Sequence, residues 1–312
     1  MNKLFLLLSF FLFPALLSAQ EEAVSIKAPL GDVYGTLLLP ESGSKVPVVL
    51  LIAGSGPTDR DGNNPMMKMN TLKMLAESLQ KNGIASLRYD KRGIAASAKA
   101  GEKESDIRFE DYIDDVRTWI EFLKKDPRFD RIVIAGHSEG SLIGMIASQD
   151  NPAVGKFISI AGTGMPADQI LKRQLKAQPQ PIQDLCFPII DKLAQGDTVD
   201  KVSPLLSSLF RPSIQPYLIS WFKYDPAVEI AKLKIPVLIL QGTHDLQCNT
   251  EDANLLASAY PTAEKVLIPN MTHVLKDCDS MDQATQLSRV YSETDLPLNP
   301  TLTETIVRFV KK

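Results

Sequence analysis

Ser138 stands in the middle of Gly136-His137-Ser138-Glu139-Gly140, directly after the apolar run Ile132 to Ala135 and directly before apolar residues at helical spacing. That reads as a strand, a tight turn and a helix, with a hydroxyl at the apex. A turn that thrusts a serine out above a sheet crowds its own backbone, so side chains at positions 136 and 140 would clash. A serine hydroxyl is a weak nucleophile at neutral pH and needs a base within hydrogen-bond reach. The chain has three histidines. His137 lies inside the turn and His244 directly precedes an aspartate, which leaves His273, in the loop Asn270 to Val274, as the free base. Asp245 ends the run Pro236-Val-Leu-Ile-Leu-Gln-Gly-Thr-His-Asp245 and is the first choice of acid to hold that imidazole, with Asp277 and Asp279 as competitors. Ser138, Asp245 and His273 each follow an apolar strand pattern. In a parallel sheet the carboxyl ends of strands share one edge, where distant residues meet.

Serine, acid, histidine is the chain order of the α/β-hydrolases. Two further segments, Ile52-Ala-Gly-Ser-Gly-Pro-Thr-Asp-Arg-Asp-Gly62 and Leu87-Arg-Tyr-Asp-Lys-Arg-Gly93, extend the likeness over nearly all of the chain beyond its leader. The chain resembles α/β-hydrolases of the serine esterase, lysophospholipase and S33-type aminopeptidase group. The resemblance implies an acyl-enzyme on Ser138, with His273 as base and Asp245 orienting it. It also implies two backbone N–H donors for the oxyanion, that of Glu139 and one from Gly54-Ser55-Gly56, assigned to Ser55. Carboxylic ester hydrolysis is the expected activity. The alternatives are an aminopeptidase or amidase, for which Glu139 or Asp184 would bind the substrate ammonium, and a catalytically silent binding module. Neither a cofactor nor a metal is called for, and the expected partner is a small-molecule ester.

The elements that must position these residues are legible in outline. Ala23–Lys27 and Val33–Leu39 suggest an antiparallel hairpin turned near Gly31. Val46–Ala53, Ile84–Tyr89 and Phe157–Ala161 read as buried strands, and 66–81 and 111–124 as amphipathic helices. Alternating strands and helices imply an α/β class with a doubly wound, mostly parallel sheet. The rhythm breaks at 163–224, a proline-containing stretch without strand patterns that is too long for a simple crossover. It is expected to be a helical cap inserted into a hydrolase core of 20–162 and 225–312. Its apolar residues Phe187, Leu205, Leu206, Leu209, Phe210, Leu218, Trp221 and Phe222 should divide between packing on the core and lining the pocket.

Residues 1–19 have the form of a secretory signal: Lys3, then the apolar Leu4–Leu17, then the small residues Ser18-Ala19. Their removal changes the formal charge from −3 to −4, since Lys3 is the one charged side chain among them. The expected product is exported, periplasmic or secreted, with no membrane span left. No basic patch suggests nucleic acid. In an oxidising compartment Cys248 and Cys278, on the acid and base loops, could pair as a disulfide and leave Cys186 free. Arg60, Asp61, Asp90, Lys91 and Arg92 are expected to form a charge network bracing the Gly54–Gly56 loop, and Glu139 to be a solvated carboxylate at a helix start.

Overall fold

The computed structural model describes residues 20–29 and 31–312; the signal segment proposed for 1–19 lies outside them. Strand β1 (Gln20–Ala28) and β2 (Gly31–Leu39) form an antiparallel hairpin, followed by β3 (Val46–Ile52), helix α1 (Thr71–Lys81) and β4 (Ala85–Tyr89). Then come α2 (Phe109–Lys124), β5 (Phe129–His137), α3 (Glu139–Ala147) and β6 (Val154–Ile160). The sheet order is β1-β2-β4-β3-β5-β6, continued by β7 (Val237–Gly242) and β8 (Glu264–Ile268). The β2–β4 pair is antiparallel and every pair from β4 onward is parallel. This is the doubly wound α/β sheet expected from the alternation of patterns, with its central strands apolar on both faces.

Two apolar cores explain why the strands stay flat against helices. One face of the sheet buries Trp119, Ile120 and Leu123 of α2 with Leu142, Ile143 and Met145 of α3. The other buries Leu75 and Leu79 of α1 with Ile306 and Phe309 of α11 (Pro300–Lys311). Helix α1 begins five residues later than the apolar spacing suggests. Asn70 adopts φ 53°, and its backbone N–H and side-chain oxygen are clasped by the Asn63 amide at 2.8 and 3.0 Å, so 66–70 are held as a turn instead.

Between β6 and β7 stand α4 (Ala167–Leu175), α5 (Gln180–Ala194), α6 (Ser207–Phe210), α7 (Gln215–Trp221) and α8 (Pro226–Ile230), with no strand among them. Helix α9 (Thr250–Ala259) and α10 (Gln283–Arg289) complete the chain. This helical segment is tied to the rest of the chain by Arg173 on α4, paired with Asp252 on α9. The segment 274–300 packs on the acid and base loops: Gln286 donates to the His244 carbonyl at 2.8 Å, and Lys276 to the Glu293 and Thr294 carbonyls. Among the described residues no helix is long and apolar enough to cross a membrane.

Candidate active site

Ser138 occupies a backbone conformation that side chains avoid, φ 55° and ψ −123°, at the junction of β5 and α3. Its neighbours have no room to relax it. A Cβ on Gly136 would stand 2.0 Å from the Gly140 carbonyl oxygen, and one on Gly140 would stand 2.4 Å from that of Ile52. The two glycines are therefore steric necessities, and the strain they permit aims the hydroxyl outward.

The acid and base loops meet beside it. His273 Nδ1 donates to Asp245 Oδ2 at 2.8 Å, and both residues are buried. Asp245 is held in turn by four donors in all, which fixes its orientation: the backbone N–H groups of Gln247 and Cys248 on Oδ1, at 2.8 and 2.9 Å, and Gln241 Nε2 beside His273 on Oδ2, at 3.1 Å. Asp277 and Asp279 are engaged elsewhere, with Asn299 and Arg289. The structure thus brings Asp245, and not its competitors, to His273. No hydrogen bond joins Ser138 to His273 in this resting arrangement. His137, the residue before Ser138, touches the base loop: its ring centroid lies 4.8 Å from that of His273 and its Nε2 donates to the His273 carbonyl at 2.8 Å. Burial, and then the neighbouring His273, push the His137 pKa down to about 3, so this imidazole is a neutral Nε2–H donor.

Gly54 lies against the serine, since a Cβ there would stand 3.1 Å from Ser138 Cβ. Ser55, Ser138 and Glu139 line one cavity of about 660 Å³. The Glu139 N–H is in the first turn of α3, where no helical acceptor exists, and among the described residues neither it nor the Ser55 N–H donates to another backbone carbonyl.

Several expectations are corrected here. The Glu139 carboxylate is not solvated: the residue is 2 % exposed, paired with Lys91 Nζ at 2.6 Å and with the Tyr217 hydroxyl. The helix dipole alone cannot hold a carboxylate out of water, and a buried charge requires a partner. The charge network is real but divided into separate small groups, with Arg88 also reaching Glu21 and Arg92 also reaching Asp111. Arg60 binds Asp90 at 2.6 Å, Arg88 binds Asp61 at 2.6 Å, and Arg92 grips Asp115 through two nitrogens at 2.6 and 2.8 Å. Only Lys91 reaches the Gly54–Gly56 loop, donating to the Gly54 carbonyl at 2.7 Å. With Arg60 and Arg92 committed to acids, neither is free for a substrate carboxylate. The Cys248–Cys278 disulfide is not formed; all three cysteines are free and buried. Cys248 lines the cavity beside Ser138, and burial, with Asp245 and Asp252 adding, pushes its thiol well above the usual range. Cys278 is held through its backbone by Asn270 and His244.

The insertion's apolar residues divide as anticipated, along lines no periodicity reveals. Leu209, Phe210, Leu218 and Trp221 line the cavity, Phe210 and Leu218 also belonging to the buried core with Leu206, while Phe187 and Phe222 are half-buried against that core and Leu205 is exposed. Sequence reading missed Gln241 and Tyr217 as members of the site, and placed Lys91 at the Gly54–Gly56 loop without its bond to Glu139. Gln241 carried a signal, being an amide in the otherwise apolar β7; Tyr217 carried none.

A sequence family described as serine aminopeptidase, S33, matches residues 66–228, just over half of the chain. Esterase EstD from Thermotoga maritima is 26% identical over 248 residues, which cover 75% of this chain and 55% of that protein, so the chain spans little more than half of this relative's length. Among solved structures, Est1E from Butyrivibrio proteoclasticus superposes with a TM-score of 0.62 at 19% identity, covering 94% of this chain and 98% of its own; another structure of Est1E has ferulic acid bound. The Pyrococcus furiosus esterase Pf2001 superposes at 0.61 and 15% identity, covering 97% and 95%. At such identities the likeness is one of fold, and the fold is that of the α/β-hydrolases.

Proposed function

The chain belongs to the serine aminopeptidase S33 family of α/β-hydrolases, and from that footing we propose that it hydrolyses carboxylic esters through an acyl-enzyme on Ser138. His273 Nε2 takes the Ser138 proton as Oγ bonds to the ester carbonyl carbon. Asp245 keeps the imidazole in the Nδ1–H tautomer and stabilises the imidazolium. The oxyanion is received by the N–H groups of Ser55 and Glu139. Collapse breaks the carbon–alkoxy bond, the alcohol leaves with the proton from His273, and water repeats the sequence on the acyl group.

One observation carries the preference for esters over aminoacyl substrates. Ser138 opens onto a cavity whose two carboxylates are both already neutralised, Glu139 by Lys91 and Glu104 by Arg211 and Ser213. Asp184 lies outside that lining and bonds Gln180. An α-ammonium would have no counter-charge to replace its lost water, a cost of several kcal/mol. Apolar walls from Ile170, Leu171, Phe210 and Trp221 favour a neutral, moderately apolar acyl or alcohol group. We also read 163–224 as the cap over this cavity and 1–19 as a cleaved export signal. N-terminal sequencing of the protein recovered outside the cytoplasm tests the latter, a retained Met1 refuting it.

The function is tested by hydrolysis of p-nitrophenyl esters from acetate to dodecanoate, with methyl ferulate included because of the Est1E likeness. Turnover abolished by Ser138→Ala is the expected result, with the chain-length optimum sizing the cavity. Full turnover in Ser138→Ala, or hydrolysis of aminoacyl amides but no ester, refutes it.

A further inference from the structure

Lys91 is a buried ammonium with two hydrogen-bonded protein partners and an aromatic neighbour. It donates to the Gly54 carbonyl at 2.7 Å and to Glu139 Oε2 at 2.6 Å, and it lies 5.0 Å from the centroid of the Tyr112 ring, a cation–π contact. Lys91 also lines the cavity that Ser138 opens onto. The two bonded partners are the two ends of the oxyanion site. The Gly54 carbonyl and the Ser55 N–H belong to one planar trans peptide, in which C=O and N–H point in opposite directions. A donor that holds the carbonyl therefore also fixes the direction of the Ser55 N–H, in a loop where a Cβ on Gly54 would stand 3.1 Å from Ser138 Cβ. Glu139 supplies the second N–H, and its side chain is held between Lys91 and the Tyr217 hydroxyl of α7. Gly54, without a Cβ, would otherwise rotate freely.

We propose that Lys91 is the positioning residue of the oxyanion site, a single buried ammonium that aligns both backbone donors, Ser55 N–H through the Gly54 carbonyl and Glu139 N–H through its carboxylate. Polarisation of the gripped peptide strengthens the same N–H as a donor. Tyr217 extends the arrangement to the insertion, so the helix that covers the cavity is tied to the residue following the nucleophile. The proposal rests on the esterase reading of Ser138, and its test separates the two.

Lys91→Met removes the ammonium at similar length but strands a buried carboxylate. Lys91→Met/Glu139→Gln removes that charge as well, and replacing both members of a buried pair is commonly tolerated; the Gln amide still accepts from Tyr217. On p-nitrophenyl butyrate both variants should lose about a hundredfold in kcat, the scale of a lost oxyanion donor, with KM within about threefold. The Ki of an aryl trifluoromethyl ketone, which binds as the tetrahedral adduct, should rise by the factor that kcat/KM falls. A double variant with kcat near wild type would mean that Lys91 merely neutralises Glu139, and would overturn the proposal. So would a loss confined to KM with the Ki unchanged. Should wild type hydrolyse no ester, the esterase reading fails while this one is still read from fluorophosphonate labelling. There the Ser138 O–P bond forms, fluoride leaves, the serine proton passes to His273, and charge grows on the phosphoryl oxygen. Labelling about a hundredfold slower in the double variant supports the proposal, and equal rates refute it.

Discussion

His137 should make this protein sensitive to mild acid in a way that one substitution removes. His137 is half-buried, its ring tilted 46° against that of His273 with centroids 4.8 Å apart, and it donates through Nε2 to the His273 carbonyl at 2.8 Å. The folded protein resists protonating it until a pKa of about 3, against 6.5 for the free side chain. A depressed pKa means that the unfolded chain binds the proton first. The stability due to neutral His137 is therefore complete above pH 6.5 and drains away as the pH falls from 6.5 toward 3. At pH 5 the unfolded imidazole lies about 1.5 units below its pKa, and the folded one still holds no proton, so the loss is about 2 kcal/mol at about 1.4 kcal/mol per unit. Urea unfolding of wild type and His137→Gln at pH 7.5 and 5.0 measures it. The glutamine amide can reach the same carbonyl but does not titrate, and all other groups cancel between the proteins. Wild type should lose about 2 kcal/mol more than the variant over that interval. Parallel losses, agreeing within about 0.5 kcal/mol, would show that desolvation and the neighbouring His273 do not keep His137 neutral.

Asp245→Asn should leave the loop intact, because the backbone donors of Gln247 and Cys248 still find an oxygen. It removes the charge and the tautomer control over His273, so kcat should fall about 10⁴-fold with KM little changed; a loss under tenfold in steady-state ester kinetics would mean that another acid serves. Gly140→Ala places a Cβ 2.4 Å from the Ile52 carbonyl oxygen, and either α3 or the end of β3 must move. It should cost about 2 kcal/mol or more of stability and at least tenfold in kcat, read by thermal unfolding and ester turnover. Thiol titration of the denatured, unreduced protein should count three thiols, one for each free cysteine, and far fewer over minutes in the native state, where all three are buried. One thiol on denaturation would establish the Cys248–Cys278 bridge after all.

The division between what the chain alone reveals and what folding decides runs along the reach of the forces involved. The turn at Ser138 is legible because its cause is local: a strained serine needs absent side chains two residues to either side, and Gly136 and Gly140 are written next to it. The parallel sheet and the positions of Asp245 and His273 at strand ends are legible because hydrophobic periodicity is a near-neighbour property and a parallel sheet gathers its carboxyl ends at one edge. Glu139 is the contrary case. Its sequence neighbours say only that it starts a helix, and whether it is solvated depends on Lys91, 48 positions away, and Tyr217, 78 positions away. The same holds for Leu209 and Phe187, both apolar residues of the insertion, of which one faces the cavity and the other the core. Cys248 and Cys278 lie on the acid and base loops, yet Cys248 lines the Ser138 cavity, Cys278 does not, and both stay free thiols. Burial of a charge, the choice of its partner and the aim of a side chain are properties of elements brought together, and only the tertiary structure sets them.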